Sequence, residues 1–335
     1  MNHVITPEGY VSYLDLYQTQ TAIGYMKRVF SENLATALNL KRVSAPLFVD
    51  PSTGLNDDLN GTERPVRFDI RATGTEGVVV HSLAKWKRVA LADYGFSEGE
   101  GLYTDMNAIR RDEEELDNLH SVYVDQWDWE KIIYPDQRNE EYLRITVQAI
   151  ADAICSTLNE LKVLYRIPVR LERWVSFISS QELEDMYPGM TPKERENAYV
   201  REHKTVFITK IGWPLRSGKP HDGRAPDYDD WNLNGDLLFW HEGLGCALEI
   251  SSMGIRVDPA AMDAQLTAAG CDDRRTLPFH RRLLSGGLPL TMGGGIGQSR
   301  LSMLLLGKVH IGEVQSSLWD KETLDACRKA GIHIL

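Results

Sequence analysis

The chain is poor in what membranes, secretion and nucleic acids require. None of its 335 residues belongs to a long apolar run: Met303–Leu306 is among the longest, far short of a membrane span of ~20 residues. Met1–Tyr10 lacks the basic start and apolar core of a signal peptide, so a cytoplasmic protein with no membrane partner is expected. The four cysteines, Cys155, Cys246, Cys271 and Cys327, stand far apart, which excludes a CxxC zinc site or redox pair and leaves reduced thiols. Positive charge is short as well. With 37 Lys and Arg against 48 Asp and Glu, the formal net charge of −11 opposes the basic surface that displaces counterions from nucleic acid. No nucleic-acid partner is expected, although a small anionic substrate can still find a local basic pocket. There is no internal repeat and no low-complexity linker, and the length suits one or two domains.

What is present is strong periodicity. Ile23, Met26, Phe30, Leu34 and Leu38 recur at three- and four-residue steps and predict an amphipathic helix over 17–40. A strand over 43–49 follows, interrupted by Pro46, whose missing N–H assigns it to a sheet edge or interface. A second long helix fits Leu143, Val147, Ile150, Ile154, Leu158 and Leu161. Strand-like runs occupy 66–70, 77–81, 120–129, 204–212, 236–240 and 247–251. Several are joined by turns too short for a βαβ crossover, so an α+β fold is expected, with an antiparallel or mixed sheet flanked by helices. Residues 214–235 form the longest loop-like stretch, either a lid over a site or a surface insertion.

Several residues break their local pattern. Helical spacing stacks Val80, Leu83, Ala84, Lys87, Ala90, Leu91 and Tyr94, so Lys87 alone carries charge on an apolar stripe. It either snorkels outward or points inward at an anion. In HSVYVDQWDWE, strand alternation places Val122, Val124, Gln126 and Asp128 on one face and Tyr123, Asp125, Trp127 and Trp129 on the other. Gln126 and Asp128 either present an amide and a carboxylate to a pocket at the end of a buried row, or mark a strand end fraying into solvent, which accounts less well for polar residues beside two tryptophans. Arg110 and Arg111 precede this strand, as a solvated turn or as guanidinium groups for phosphate. Asp236 and Glu249, isolated acids on two neighbouring strand-like runs, fit a Mg²⁺ site that shares the ion with a nucleotide.

The stretch TMGGGIGQSRLSMLLL, 291–306, packs four glycines into 293–297 ahead of an apolar run. It fails the dinucleotide fingerprint, whose third glycine would fall on Gln298 or Arg300. It fails the P-loop too, because Gly307-Lys308 would need a glycine at 302 and a hydroxyl at 309, where Ser302 and Val309 stand. Two simpler readings survive. Either free backbone N–H groups and Arg300 face an anion at a helix start, or the glycines serve close packing.

The helix–strand unit ending at Pro46, Arg110-Arg-Asp-Glu113 and Gly295-Ile-Gly-Gln-Ser-Arg300 resemble, in order, the three motifs of class II aminoacyl-tRNA synthetase catalytic domains. More specifically, HSLAKWKR, GEGLYT, HSVYVDQWDWE, RAPDYDDW, SSMGIRVD and GGGIGQSRL resemble the ammonia-dependent asparagine synthetase family across nearly the whole chain. The resemblance implies a single class II synthetase-like catalytic domain over 1–335, a homodimer, and amidation of L-aspartate by ammonia with ATP through a β-aspartyl-adenylate. It implies catalytic roles for Asp57, Arg110 and Gln126. It assigns Lys87, Ser82, Asp128, Ser252 and Arg256 to the amino-acid substrate, and Arg110, Glu113, Arg300, Gly295, Gly297 and Asp229 to ATP. Asp236 and Glu249 would hold Mg²⁺. The sequence departs from the family pattern in loop 51–56 and in a shorter stretch between Asp229-Asp230 and Asn234-Gly-Asp236. An aspartyl- or asparaginyl-tRNA synthetase core would share the motifs but lacks room here for an anticodon-binding domain. A non-catalytic paralogue would not need Arg110, Arg300, Asp236 and Glu249. A glutamine-dependent synthetase is not expected, because Asn2 stands where its nucleophilic cysteine would follow the initiator methionine.

Overall fold

A computed structural model describes residues 4–57, 59, 63–113 and 116–335; Asn2 and Gly61 lie outside the described residues. Helix α1 (Leu16–Leu38) starts at a capping box in which Asp15 accepts from the Gln18 amide and Gln18 accepts from the Asp15 amide. It stops at Asn39, whose φ of 57° is left-handed. Strand β1 (Leu40–Arg42) follows. Strands β2 (Phe48–Val49), β3 (Arg67–Ile70) and β4 (Thr75–Val79) make a small antiparallel sheet in the order β2-β4-β3. The chain continues through α2 (Ala84–Asp93), β5 (Gly101–Ile109), β6 (Tyr123–Ile132), α3 (Glu140–Leu164), β7 (Ser176–Ser179), α4 (Ser180–Met186) and α5 (Pro192–His203). It ends with β8 (Thr205–Thr209), β9 (Asp229–His241), β10 (Cys246–Arg256), α6 (Pro259–Ala268), α7 (Pro278–Leu284), β11 (Thr291–Gly297), α8 (Gln298–Leu306) and α9 (Lys321–Lys329).

Eight of these strands form one sheet, β1-β5-β6-β11-β10-β9-β8-β7, antiparallel except for the parallel pairs at its two ends, β1 with β5 and β7 with β8. Helices α1 and α3 lie together across one face, where Phe30 meets Trp127 at a ring-centroid distance of 4.8 Å. Their stripes, from Ile23 to Leu38 and from Leu143 to Leu161, join Trp127 and Trp129 in one core cluster. Each such fully buried side chain contributes about 1.5–3 kcal/mol. The opposite face carries α2 and a cavity, as the alternation along β6 requires.

Helix α1 lies within two residues of the predicted 17–40, and α3 carries the whole predicted stripe from Leu143 to Leu161. The strand over 43–49 is split instead. Pro46 falls between β1 and β2, each at the edge of a different sheet, so the segment passes from one sheet to the other. Strands β1, β5, β7 and β11 lie outside the predicted runs. Residues 229–235, read as loop, belong to β9, and Tyr94 leaves the buried stripe, 57 % exposed at the end of α2.

After α8 the chain makes a tight turn at His310, which leads to Ile311 and Gln315 in the cavity wall. The fully buried His310 ring accepts the Gly312 N–H through Nδ1 at 3.0 Å, and burial lowers the imidazole from 6.5 to about 4. A base with a depressed folded-state pKa contributes stability that is complete above its unfolded value and is lost as pH falls towards the folded one. Between pH 7 and 4.5 this histidine is expected to cost about 2–3 kcal/mol. His310→Asn keeps an acceptor without the titration, so its unfolding free energy from urea titrations should fall less over that range by about that amount.

Candidate active site

A cavity of about 460 Å³ opens on the α2 side of the large sheet. Thirteen of the fifteen candidate residues line it; Asp57 and Asp236 do not. Its floor is β6, β11 and β10. Gln126 and Asp128 point up from β6, paired with Gly297 and Gly295 of β11, and Ser252 stands opposite Gly295 on β10. Gly295 leaves the space these side chains occupy: a Cβ there would lie 2.4 Å from Gln126 Oε1 and 2.9 Å from Asp128 Oδ1.

Lys87 enters from α2. It is 1 % exposed, so the snorkelling alternative is overturned. Nζ donates to Gly294 O at 3.0 Å and pairs with Asp128 Oδ2 at 3.0 Å, leaving Asp128 Oδ1 buried without a partner among the described residues. Burial lowers the Lys87 pKa and Asp128 opposes the shift. Ser82 lies two residues before this helix and accepts the Ala84 N–H at 3.1 Å. An ammonium and a half-satisfied carboxylate side by side complement an α-amino acid, which carries both charges.

Beneath the floor, Arg256 is 3 % exposed between Glu130 and Asp229. Nε donates to Glu130 Oε1 at 3.0 Å, Nη2 to Glu130 Oε2 at 2.7 Å, and Nη1 pairs with Asp229 Oδ1. Burial raises both carboxyls; Arg256 outweighs it at Glu130, which is lowered, but not at Asp229, which stays raised. The charges expected to face aspartate (Arg256) and ATP (Asp229) are therefore taken up by one another and by Glu130.

On the rim, Arg110 follows β5 directly, with its backbone held by Val122 O at 2.8 Å and Nε buried without a partner among the described residues. Glu113 closes the same turn, its N–H reaching Arg110 O at 3.3 Å. Asp112 of this turn accepts Arg64 from the segment before β3, at 3.1 Å from Nε to Oδ2. Across the cavity, Arg300 sits in the first turn of α8, 3.1 Å from Glu249 O. The start of α8 is not a free anion cradle, however. Asp125 already accepts the Ser299 N–H, and the glycines before it form a strand between β10 and β6.

Asp57 is 1 % exposed behind the cavity wall. Its carboxylate accepts the Leu59 N–H at 2.8 Å, its carbonyl meets His81 Nδ1 at 3.0 Å, and it adds to the burial that raises the wall residue Tyr228 well above an ordinary phenol. Asp236 lies beneath Arg224, to which it is paired. Burial pushes its carboxyl up to about 7, with Glu249 and Asp222 adding and Arg224 and Ser252 opposing. Among the described residues no three His, Cys, Asp or Glu side chains converge on a metal. Asp236 Oδ1 is nevertheless buried without a partner there, and an oxygen-only pair with Glu249 suits Mg²⁺, which takes the rest of its shell from phosphates and water.

The sequence reading missed Arg224, one of two arginines inside the loop 214–235 and the one that stands beside Ala225-Pro226-Asp227. It also missed Asp227, in the same loop, whose Oδ2 accepts buried Lys85 at 3.2 Å, His280 at 2.9 Å and Arg274 at 3.1 Å. That carboxylate ties the loop to α2 and α7.

The family model for aspartate-ammonia ligase matches residues 17–331. Proteins called aspartate–ammonia ligase from Ruminiclostridium cellulolyticum and Lactobacillus acidophilus are each 57 % identical to this chain. The alignments cover 100 % of both chains in the first case and 99 % in the second. Among solved structures, an Entamoeba histolytica asparaginyl-tRNA synthetase in complex with asparaginyl-adenylate superposes with a TM-score of 0.66 at 13 % identity, over 90 % of this chain and 66 % of that one. The Pyrococcus horikoshii asparaginyl-tRNA synthetase complexed with asparaginyl-adenylate gives 0.62 at 17 % identity, over 88 % and 68 %. The fold is that of a class II synthetase core.

The buried triangle makes a direct demand on stability. Arg256→Met leaves Glu130 and Asp229 without their cation and is expected to cost about 3–5 kcal/mol in chemical denaturation. Arg300→Met, at a side chain 26 % exposed, should cost within about 1 kcal/mol.

Proposed function

The chain belongs to the aspartate–ammonia ligase family and makes L-asparagine from L-aspartate and ammonia with ATP; we propose the course of that reaction from the residues around the cavity. The unpartnered Asp128 Oδ1 beside Lys87 carries the reading. Lys87 takes the substrate's α-carboxylate and Asp128 its α-ammonium, with Ser82 and Ser252 flanking, so the β-carboxylate is directed towards Gln126 and Arg110.

The β-carboxylate oxygen attacks the α-phosphorus of ATP, and the bond to pyrophosphate breaks to give β-aspartyl-adenylate. Arg110, with its Nε unpartnered, meets charge growing on the α-phosphate, and Gln126 orients the reacting carboxylate. Arg300 holds the distal phosphates or the adenine face, Glu113 fixes the Arg110 turn, and Gly295 and Gly297 keep the floor low beneath the nucleotide. Arg256 and Asp229 shape this wall and set its field. Asp236 and Glu249 would hold Mg²⁺, which neutralises the leaving pyrophosphate. Ammonia then adds to the β-carbonyl carbon and AMP leaves. Asp57 binds ammonium and draws off its proton.

One catalytic domain acting as a homodimer in the cytoplasm completes the proposal. Support comes from Val11, Tyr13, Leu16 and Tyr17, exposed apolar residues at the start of α1, and from four free cysteines.

The direct test follows ATP conversion to AMP with aspartate, with and without ammonium; AMP that appears only when tRNA is added overturns the reading. Arg110→Ala is expected to lower kcat about 10²–10³-fold, the range for removing a donor to developing charge. Asp57→Asn should retain aspartate-dependent ATP–pyrophosphate exchange and slow asparagine release. Equal loss of both steps would remove Asp57 from the ammonia step.

A further inference from the structure

Helix α8 carries Arg300 in its first turn but lacks a cap of its own. Its N-cap is Gly297, and no acidic residue stands in that turn. The cap comes from the neighbouring strand. Asp125 of β6 accepts the Ser299 N–H through Oδ1 at 3.0 Å, while Oδ2 accepts Lys27 Nζ of α1 at 3.1 Å. Gln315 closes the group, donating from Nε2 to Ser299 Oγ at 3.0 Å and to Asp125 Oδ1 at 3.4 Å.

Strand alternation puts Asp125 on the face shared by Trp127 and Trp129, and with Ser299 and Gln315 it also lines the edge of the cavity. Three elements meet there: the strand that holds Gln126, the helix that holds Arg300, and a helix from the far side of the core.

We propose that Asp125 is a positioning residue for the ATP-binding step: by capping α8 from β6 it fixes the direction in which Arg300 enters the cavity, and Lys27 makes that placement depend on α1. The inference rests on the reading of Arg300 as an ATP contact. A helix without its cap frays in its first turn. Fraying there displaces Arg300 and leaves Lys87, Gln126 and Asp128 in place, so the effect falls on one substrate.

The test is steady-state AMP formation with ATP and aspartate varied separately, in Asp125→Ala, Asp125→Asn, Lys27→Met and Arg300→Ala. Asp125→Ala is expected to raise KM for ATP about fivefold, the size of a lost cap, with KM for aspartate and kcat within about twofold. Asp125→Asn keeps an acceptor for Ser299 and should recover most of that loss. Lys27→Met should raise KM for ATP about two- to threefold. Equal rises in both KM values, or no recovery from alanine to asparagine, overturns the proposal. If Asp125→Ala does not fold, a KM for ATP unchanged in Lys27→Met overturns it and a selective rise upholds it. An Arg300→Ala enzyme with unchanged KM for ATP would remove the ATP reading itself; a raised value there, with Asp125→Ala unchanged, removes only the role of Asp125.

Discussion

Arg256 is closed off from solvent between Glu130 and Asp229, and those carboxylates come from β6 and β9, strands that do not pair with each other. A buried cation is tolerated only where its partners meet it in good geometry. One guanidinium therefore constrains the register of four consecutive strands, β6-β11-β10-β9. Gly293 accommodates it: a Cβ there would lie 2.0 Å from Glu130 Oε2 and 2.6 Å from Arg256 Nη2. The run of glycines is clearance for side chains that cross beneath a strand, and the cavity floor is low because that clearance exists.

Around this floor the polar groups divide in two. Arg256, Glu130 and Asp229 are matched, as is the carboxylate oxygen of Asp227 that gathers Lys85, His280 and Arg274. Asp128, Arg110 and Asp236 each keep a buried atom without a partner among the described residues. The matched groups hold the wall in shape, and the half-matched ones are those read above as meeting a zwitterion, a phosphate and a cation. Buried atoms left open carry a penalty that a ligand relieves, which converts part of the folding deficit into affinity.

The long helices and the β6 alternation were legible because burial imposes a period. Lys87, Gln126 and Asp128 stood out as polar residues continuing apolar rows, and the structure puts all three at the cavity. Strand β11 was not legible. Local sequence gives glycine to loops, and only the side chains of β6 and β10 explain why a central strand needs so many. Arg224 and Asp227 were hidden for a related reason, since their partners lie on β9, α2 and α7, and no spacing rule joins residues so far apart. Asp125 was placed by alternation on the face of Trp127 and Trp129, but its link to α1 and α8 joins residues too far apart for any spacing rule.

The segment around Pro46 crosses between sheets, and that crossing separates two chemistries. Asp57 follows β2 of the small sheet and is tethered to the end of β4, where Asn56 Oδ1 accepts the His81 N–H at 2.9 Å. Arg110 extends from β5 of the large one. The group read as meeting the nucleophile and the group read as meeting the phosphate are thus anchored in different layers. A change in segment 50–57 therefore acts on the layer that holds Asp57 without passing through the strands that form the cavity floor.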